Sequence, residues 1–114
     1  MESLSLTGVI DEQIAAARSA HSGRAAHTVY GGHEHSLRQT VIALAAGQEL
    51  AEHETPGEAT LLVLRGHVRL IAGADSVDGS VGDYLVVPPD RHSLSAIEDS
   101  AVLFTVLSDQ GSQT

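Results

Sequence analysis

The stretch that decides the fold is GQELAEHETPGEATLLVLRG, Gly47 to Gly66. It begins and ends on glycine, and between the two an acidic, turn-flanked run carrying His53 gives way to the apolar run ATLLVL. Glycine adopts positive φ without steric cost, so Gly66 reads as a turn at the end of a strand. A run of this length, rich in branched aliphatics and bounded by turn residues, reads as a buried β-strand. A histidine just ahead of such a strand stands where its ring can be presented to the interior of a barrel.

The same rhythm continues in both directions. HTVY, LRQTVIALAAG, ATLLVLRG, HVRLIAG, YLVVPP, HSLSAI and AVLFTVL are short apolar or alternating runs separated by Gly, Pro and Asp. That spacing, roughly ten residues, is the mark of an all-β sandwich or barrel. In HVRLI the alternation puts Val68 and Leu70 on one face and His67 and Arg69 on the other. GADSVDGSVGD supplies turns on either side of a short strand near Val77, and Pro88 with Pro89 ends a strand where no ladder N–H is needed. Arg38 to Ala45 and Ala101 to Leu107 read as long strands, with the sole phenylalanine, Phe104, filling part of the interior. Upstream the period changes: in LTGVIDEQIAAARSAHSG, Val9, Ile10, Ile14 and Ala17 recur at helical spacing and Gly23 is placed to stop a helix. The expected organisation is a helical segment at 1–24, a β-barrel at 25–108 and a flexible tail at 109–114.

Composition bounds the function. One hydrophobic core suits 114 residues with 42% apolar composition. Six basic residues, all Arg, stand against 15 acidic ones, for a formal net charge of -9. Such a surface repels phosphate backbones and anionic lipids, so neither nucleic acid nor membrane is an expected partner. With no Cys and no Lys, disulfides, thiolate chemistry, Cys-ligated metal and Schiff bases are excluded, leaving His, carboxylate, hydroxyl or a bound metal. No basic leader followed by an apolar segment opens the chain, which sets a cytoplasmic location as the expectation.

GQELAEHETPGEATLLVLRG and GDYLVVPPDRHSLSA together resemble the paired signature motifs of the cupin superfamily. Gly47, His53 and Gly66 stand at matching places in the first, and Gly82, Pro88 and, one residue early, His92 in the second. The resemblance covers about Arg38 to Leu107 and implies a jelly-roll (double-stranded β-helix) barrel with one short N-terminal helix. It also implies a homodimer formed by packing or exchanging edge strands. Two departures bear on function. Thr55 stands where the first motif has its second histidine, and Ala59 where it has a metal-binding glutamate, with Glu58 one residue away. A one-residue displacement on a strand turns a carboxylate to the other face unless a bulge resets the register. Asp90 replaces the glycine of the second motif.

The candidate metal ligands are therefore His53 and His92, with Zn, Ni, Mn or Fe as the divalent ion, and His33 and His35 of YGGHEHS as weaker candidates through their His-x-His spacing. The expected ligand pocket holds His53, His92, Gln39, Thr55 and Phe104, walled by aliphatics such as Leu61, Val63 and Val87. One of Gln39 and Thr40 should point inward. His67 is expected at the surface or an interface, and Glu49, Glu52, Glu54 and Glu58 on a solvated face. The function these residues support is binding of a small polar metabolite, with a weakly held metal. The alternative is a metal-dependent dioxygenase or isomerase. An acid/base epimerase acting on sugar nucleotides is disfavoured by the shortage of pocket arginine and of tyrosine beyond Tyr30 and Tyr84.

Overall fold

The structure, a computed structural model, describes residues 1–54 and 57–108. One helix, α1 (Leu6–Ser19), precedes nine strands: β1 (Arg24–Tyr30), β2 (Leu37–Leu44), β3 (Glu49–His53), β4 (Gly57–Arg65), β5 (His67–Ala72), β6 (Asp75–Ser80), β7 (Tyr84–Val86), β8 (His92–Ala96) and β9 (Ser100–Ser108). They form two sheets of order β1-β2-β9-β4-β7 and β3-β8-β5-β6. Every pairing is antiparallel. Strands distant in sequence lie side by side, β2 against β9 and β3 against β8, as the jelly-roll expectation requires.

Period-two alternation builds the core between the sheets. On β4, Ala59, Leu61 and Val63 are buried while Glu58 is exposed; on β5, Val68 and Leu70 are buried and Arg69 is exposed. These residues join Leu44, Leu85, Val87, Leu94, Ala96 and Val102 in one apolar cluster. Each buried aliphatic side chain contributes about 1.5–3 kcal/mol by leaving water. A second cluster lies on the outer face of the five-stranded sheet, where Val9 and Ile10 of α1 pack on Val41 and Ala101, with Ile14 and Leu103 beside them.

The helix begins where Ser5, in extended conformation, accepts the Gly8 N–H with its side chain. It ends at Ser19, short of Gly23, which instead has φ +70° in the turn that leads into β1. Gly66 meets the stricter demand. Its φ is +85°, and a Cβ there would fall on the Asp99 carbonyl oxygen and the Ser100 side chain. Ser100, almost fully buried, accepts the His67 N–H at 3.0 Å and donates to the Glu98 carbonyl at 2.7 Å, tying the β4–β5 turn to the start of β9. The expected tail, 109–114, and Thr55 lie outside the described residues.

Candidate functional site

A narrow cleft opens between the two sheets, lined by Ile42, Leu61 and Phe104 from one, Leu50, His53, Leu70, His92 and Leu94 from the other, and by Val87. Its cavity measures about 30 Å³, room for roughly two water molecules. Among the described residues, the two histidines are the polar groups in an otherwise aliphatic and aromatic wall. His92 is 2% exposed and His53 is partly exposed, so the pair runs from the interior to the rim.

A β-bulge places His53 there. Along β3 and β8 the Cα partners are Glu49 with Ser95, Leu50 with Leu94, and then His53 with His92, the register shifting between Leu50 and His53. Two residues of β3, Ala51 and Glu52, thus lie opposite Ser93. Strict alternation from an inward Leu50 would send His53 outward and Glu52 inward. The extra residue reverses that outcome: His53 lines the cleft, and Glu52 pairs with Arg91 at 3.2 Å.

The rings stand edge to face, centroids 4.6 Å apart and planes at 65°. His53 Nδ1 lies 2.9 Å from the Ala51 carbonyl oxygen and His92 Nδ1 lies 2.8 Å from that of Asp90. A carbonyl oxygen only accepts, so both Nδ1 atoms carry the hydrogen and, in the neutral rings, both lone pairs sit on Nε2. Ring nitrogens held this way by backbone carbonyls are the usual outer support of histidine metal ligands. Two imidazoles bound through Nε2 to one ion at about 2.0–2.1 Å, with angles of about 90–110°, have centroids about 4.5–5.2 Å apart. The observed separation meets that condition. The donor set does not complete a site: no group of three His, Asp or Glu side chains gathers among the described residues. Ala59 is buried in the apolar core and Glu58 is exposed, paired across the ladder with Leu107 on the outer face.

The other expected site residues fall as follows. Phe104 lines the cleft, as do Leu61 and Val87, whereas Val63 belongs to the core and not to the cleft wall. The expectation for Gln39 is corrected. It pairs across the ladder with Thr105 and donates from Nε2 to Thr105 Oγ1 at 3.2 Å, on the outer face that carries Val41 and Leu103. Ile42 fixes the inward parity of β2, which assigns Thr40 to the inner face and Gln39 to the outer. His33 and His35 are exposed in the β1–β2 connection, His35 edge-on to Tyr30 at 5.1 Å, and neither lines the cleft. Sequence reasoning missed Ile42, Leu50, Leu70 and Leu94 as cleft residues. Alternation could have found Leu70 and Leu94, whereas the inward placement of Leu50 with His53 depends on the bulge and that of Ile42 on the parity of β2.

A second polar cluster occupies the opposite face of the four-stranded sheet. Asp78 of β6 accepts from Arg69 Nε at 2.7 Å and contacts His67 Nε2 at 2.9 Å, while Ser80 Oγ lies 3.4 Å from His67 Nδ1. Hydrogen bonding from the Arg69 guanidinium, and then from the His67 ring, holds the Asp78 carboxyl down at about 2. Asp78 in turn raises the Arg69 guanidinium above its ordinary value.

No family model matches the sequence, and no curated protein does. Solved structures do. An RmlC-like cupin protein from Desulfovibrio desulfuricans matches with a TM-score of 0.71 at 24% identity, over 94% of this chain and 96% of that one. A conserved Streptococcus pyogenes protein of unknown function matches with a TM-score of 0.71 at 25% identity, over 80% and 79%. A cupin superfamily protein from Desulfitobacterium hafniense matches with a TM-score of 0.69 at 20% identity, over 75% and 78%. With its two-sheet topology and the cleft between them, this chain is a small single-domain protein with the cupin fold.

Proposed function

We propose that the cleft binds a small polar molecule against His53 and His92, and that the pair also holds a divalent metal weakly. The observation that carries this reading is the pair of Nδ1 hydrogen bonds to the Ala51 and Asp90 carbonyls, which fixes one tautomer in both rings within an apolar cleft. A concave, mainly apolar pocket with a few oriented polar groups is the usual form of a small-molecule site. The cavity has room for about two waters, so a larger ligand lies in the mouth beside His53. Fold alone assigns no activity, since one scaffold hosts many chemistries.

The test is a nuclear magnetic resonance titration of the histidine rings in untagged, EDTA-treated protein with glycolate, lactate, malonate and glycerol. At least one is expected to move both the His53 and His92 ring signals and to leave those of His27 in place. If none moves either ring up to millimolar concentrations, the reading fails.

A homodimer is part of the same proposal. Outside the area covered by α1, the outer face of the five-stranded sheet carries Tyr84, Val86, Leu107 and Leu37, exposed at 64%, 72%, 46% and 37%. Ladder pairing sets Tyr84 beside Leu62 and Leu107 beside Leu37, so they share one face. Exposed apolar side chains on a sheet face suit association with a second copy. Sedimentation of Val86→Asp against the parent chain tests it, a dimer lost in the variant being the expected result and a monomeric parent the opposing one.

A further inference from the structure

We infer that Ser80, His67 and Asp78 form a nucleophile relay on the outer face of the four-stranded sheet, which takes the acyl group of a small activated carboxylic ester onto Ser80 Oγ. The site is independent of the cleft and of the ligand proposed for it.

The order of the contacts makes the relay. Asp78 Oδ2 lies 2.9 Å from His67 Nε2, and Ser80 Oγ lies 3.4 Å from Nδ1 of the same ring. The Asp78 carboxyl, held down at about 2, is ionised at neutral pH and only accepts, so in the neutral ring Nε2 carries the hydrogen. The lone pair then sits on Nδ1, facing the serine hydroxyl, the reverse of the arrangement in the cleft rings. A hydroxyl becomes an effective nucleophile when a base so placed takes its hydrogen and a third group orients that base.

The surroundings hold these groups in place. Ladder register sets Ser80 opposite His67 and Asp78 opposite Arg69, and Arg69 grips the Asp78 carboxylate from Nε at 2.7 Å and from Nη2 at 3.2 Å. Asp83 clamps the Ser80 backbone: its carboxylate accepts the Ser80 N–H at 2.8 Å, and its own N–H donates to the Ser80 carbonyl at 2.8 Å. Ser80 is nonetheless exposed, so an ester can reach it. On the other side of His67 the β5–β8 ladder runs from Val68 opposite Ala96 to Ile97, whose N–H donates to the His67 carbonyl at 2.9 Å. Residues opposite one another share a face, so Ile97, 49% exposed, offers the acyl group an apolar surface beside the ring.

In the transfer, Ser80 Oγ bonds to the carbonyl carbon and the bond from that carbon to the leaving oxygen breaks. The hydroxyl hydrogen passes to His67 Nδ1 and then to the departing aryloxide, which leaves an acyl-serine, a neutral ring and a free phenol.

The experiment treats untagged full-length protein with p-nitrophenyl acetate at neutral pH and locates acetyl groups by peptide mass mapping. The chain contains no Lys, so lysine acylation adds no background. Ser76 is the internal control, exposed on the same strand and face but standing opposite Ile71. Acetylation of Ser80 is expected to exceed that of Ser76 by about tenfold or more, and to fall by about tenfold or more in His67→Gln and in Asp78→Asn. In Asp78→Asn the amide N–H turns to Nε2 and draws the ring hydrogen to Nδ1. The long-range ¹H–¹⁵N spectrum of His67 should therefore switch tautomer in that variant while the circular dichroism stays that of the parent. Equal acetylation of Ser76 and Ser80 in the parent overturns the inference, as does a rate at Ser80 unchanged in His67→Gln. A parent spectrum with the hydrogen of the neutral His67 ring on Nδ1 overturns it as well.

Discussion

The four-stranded sheet carries histidines on both faces, and the two settings differ in kind. On the outer face His67 is enclosed by side-chain partners, Asp78 at 2.9 Å and Ser80 at 3.4 Å, with Arg69 completing a charged group. On the inner face, His53 and His92 are anchored by main-chain carbonyls and surrounded by aliphatic side chains and Phe104. Side-chain charge pairing spends a polar group's capacity on holding two strands together. Backbone anchoring fixes the orientation of the two cleft rings. Partner type, more than burial, separates the setting of His67 from that of His53 and His92.

The strongest way to break this contrast is to change strand length. An alanine inserted between Ser93 and Leu94 matches the extra residue of β3 and restores regular alternation, so Leu50 with Leu94 and His53 with His92 can no longer share the interior. The aliphatic pair has more to gain from burial, so both imidazoles turn to solvent. Ligand-induced shifts of the ring signals should vanish altogether while the far-ultraviolet spectrum stays that of a folded β protein.

Phe104→Ala sharpens the inner half. It removes a ring packed against the inter-sheet core and one wall of the cleft, and should lower stability by about 2–4 kcal/mol in urea unfolding. It should also widen the cleft, so that ligands larger than malonate gain relative to it.

His67→Ala sharpens the outer half. Because the cluster is solvent-exposed, a small fall in melting temperature is expected, with no change in ligand-induced shifts at His53 and His92. A loss of binding in this variant would erase the distinction between the two faces.

The smallest effect is a titration. With the Asp78 carboxyl depressed to about 2, its contribution to stability is fully present above the ordinary carboxylate range and is lost as pH falls through about 2. Carbon-detected titration of Asp78 should give a midpoint near that value. In Arg69→Met the midpoint should move up towards the ordinary range, His67 alone being the weaker support.

Much of the fold was legible because its signals are local. Gly66 is required by a positive φ and a crowded backbone, and period-two alternation on β4 and β5 names the buried residues directly. His53 and His92 were legible from their spacing to those glycines. What the sequence could not give was parity. Whether His53 faces in or out turns on one bulged residue, and whether Gln39 or Thr40 faces in turns on where β2 enters the sheet. Neither is encoded in the residue types at those positions. His33 and His35 illustrate a related limit: a chelating interval says nothing about which cavity, if any, the segment reaches, and theirs belongs to the β1–β2 connection.

The placement of α1 has a consequence in time rather than in space. The helix rests on β1, β2 and β9 through a cluster separate from the inter-sheet core, helped by exposed ion pairs of Arg65 with Asp11 and Arg18 with Asp99. No residue of that helix lines the cleft. Small, separately packed units open ahead of the main core. Amide protons of Leu6–Ser19 should therefore exchange with deuterium well before those of β4 and β9, and the cleft should outlast the helix as the molecule begins to come apart.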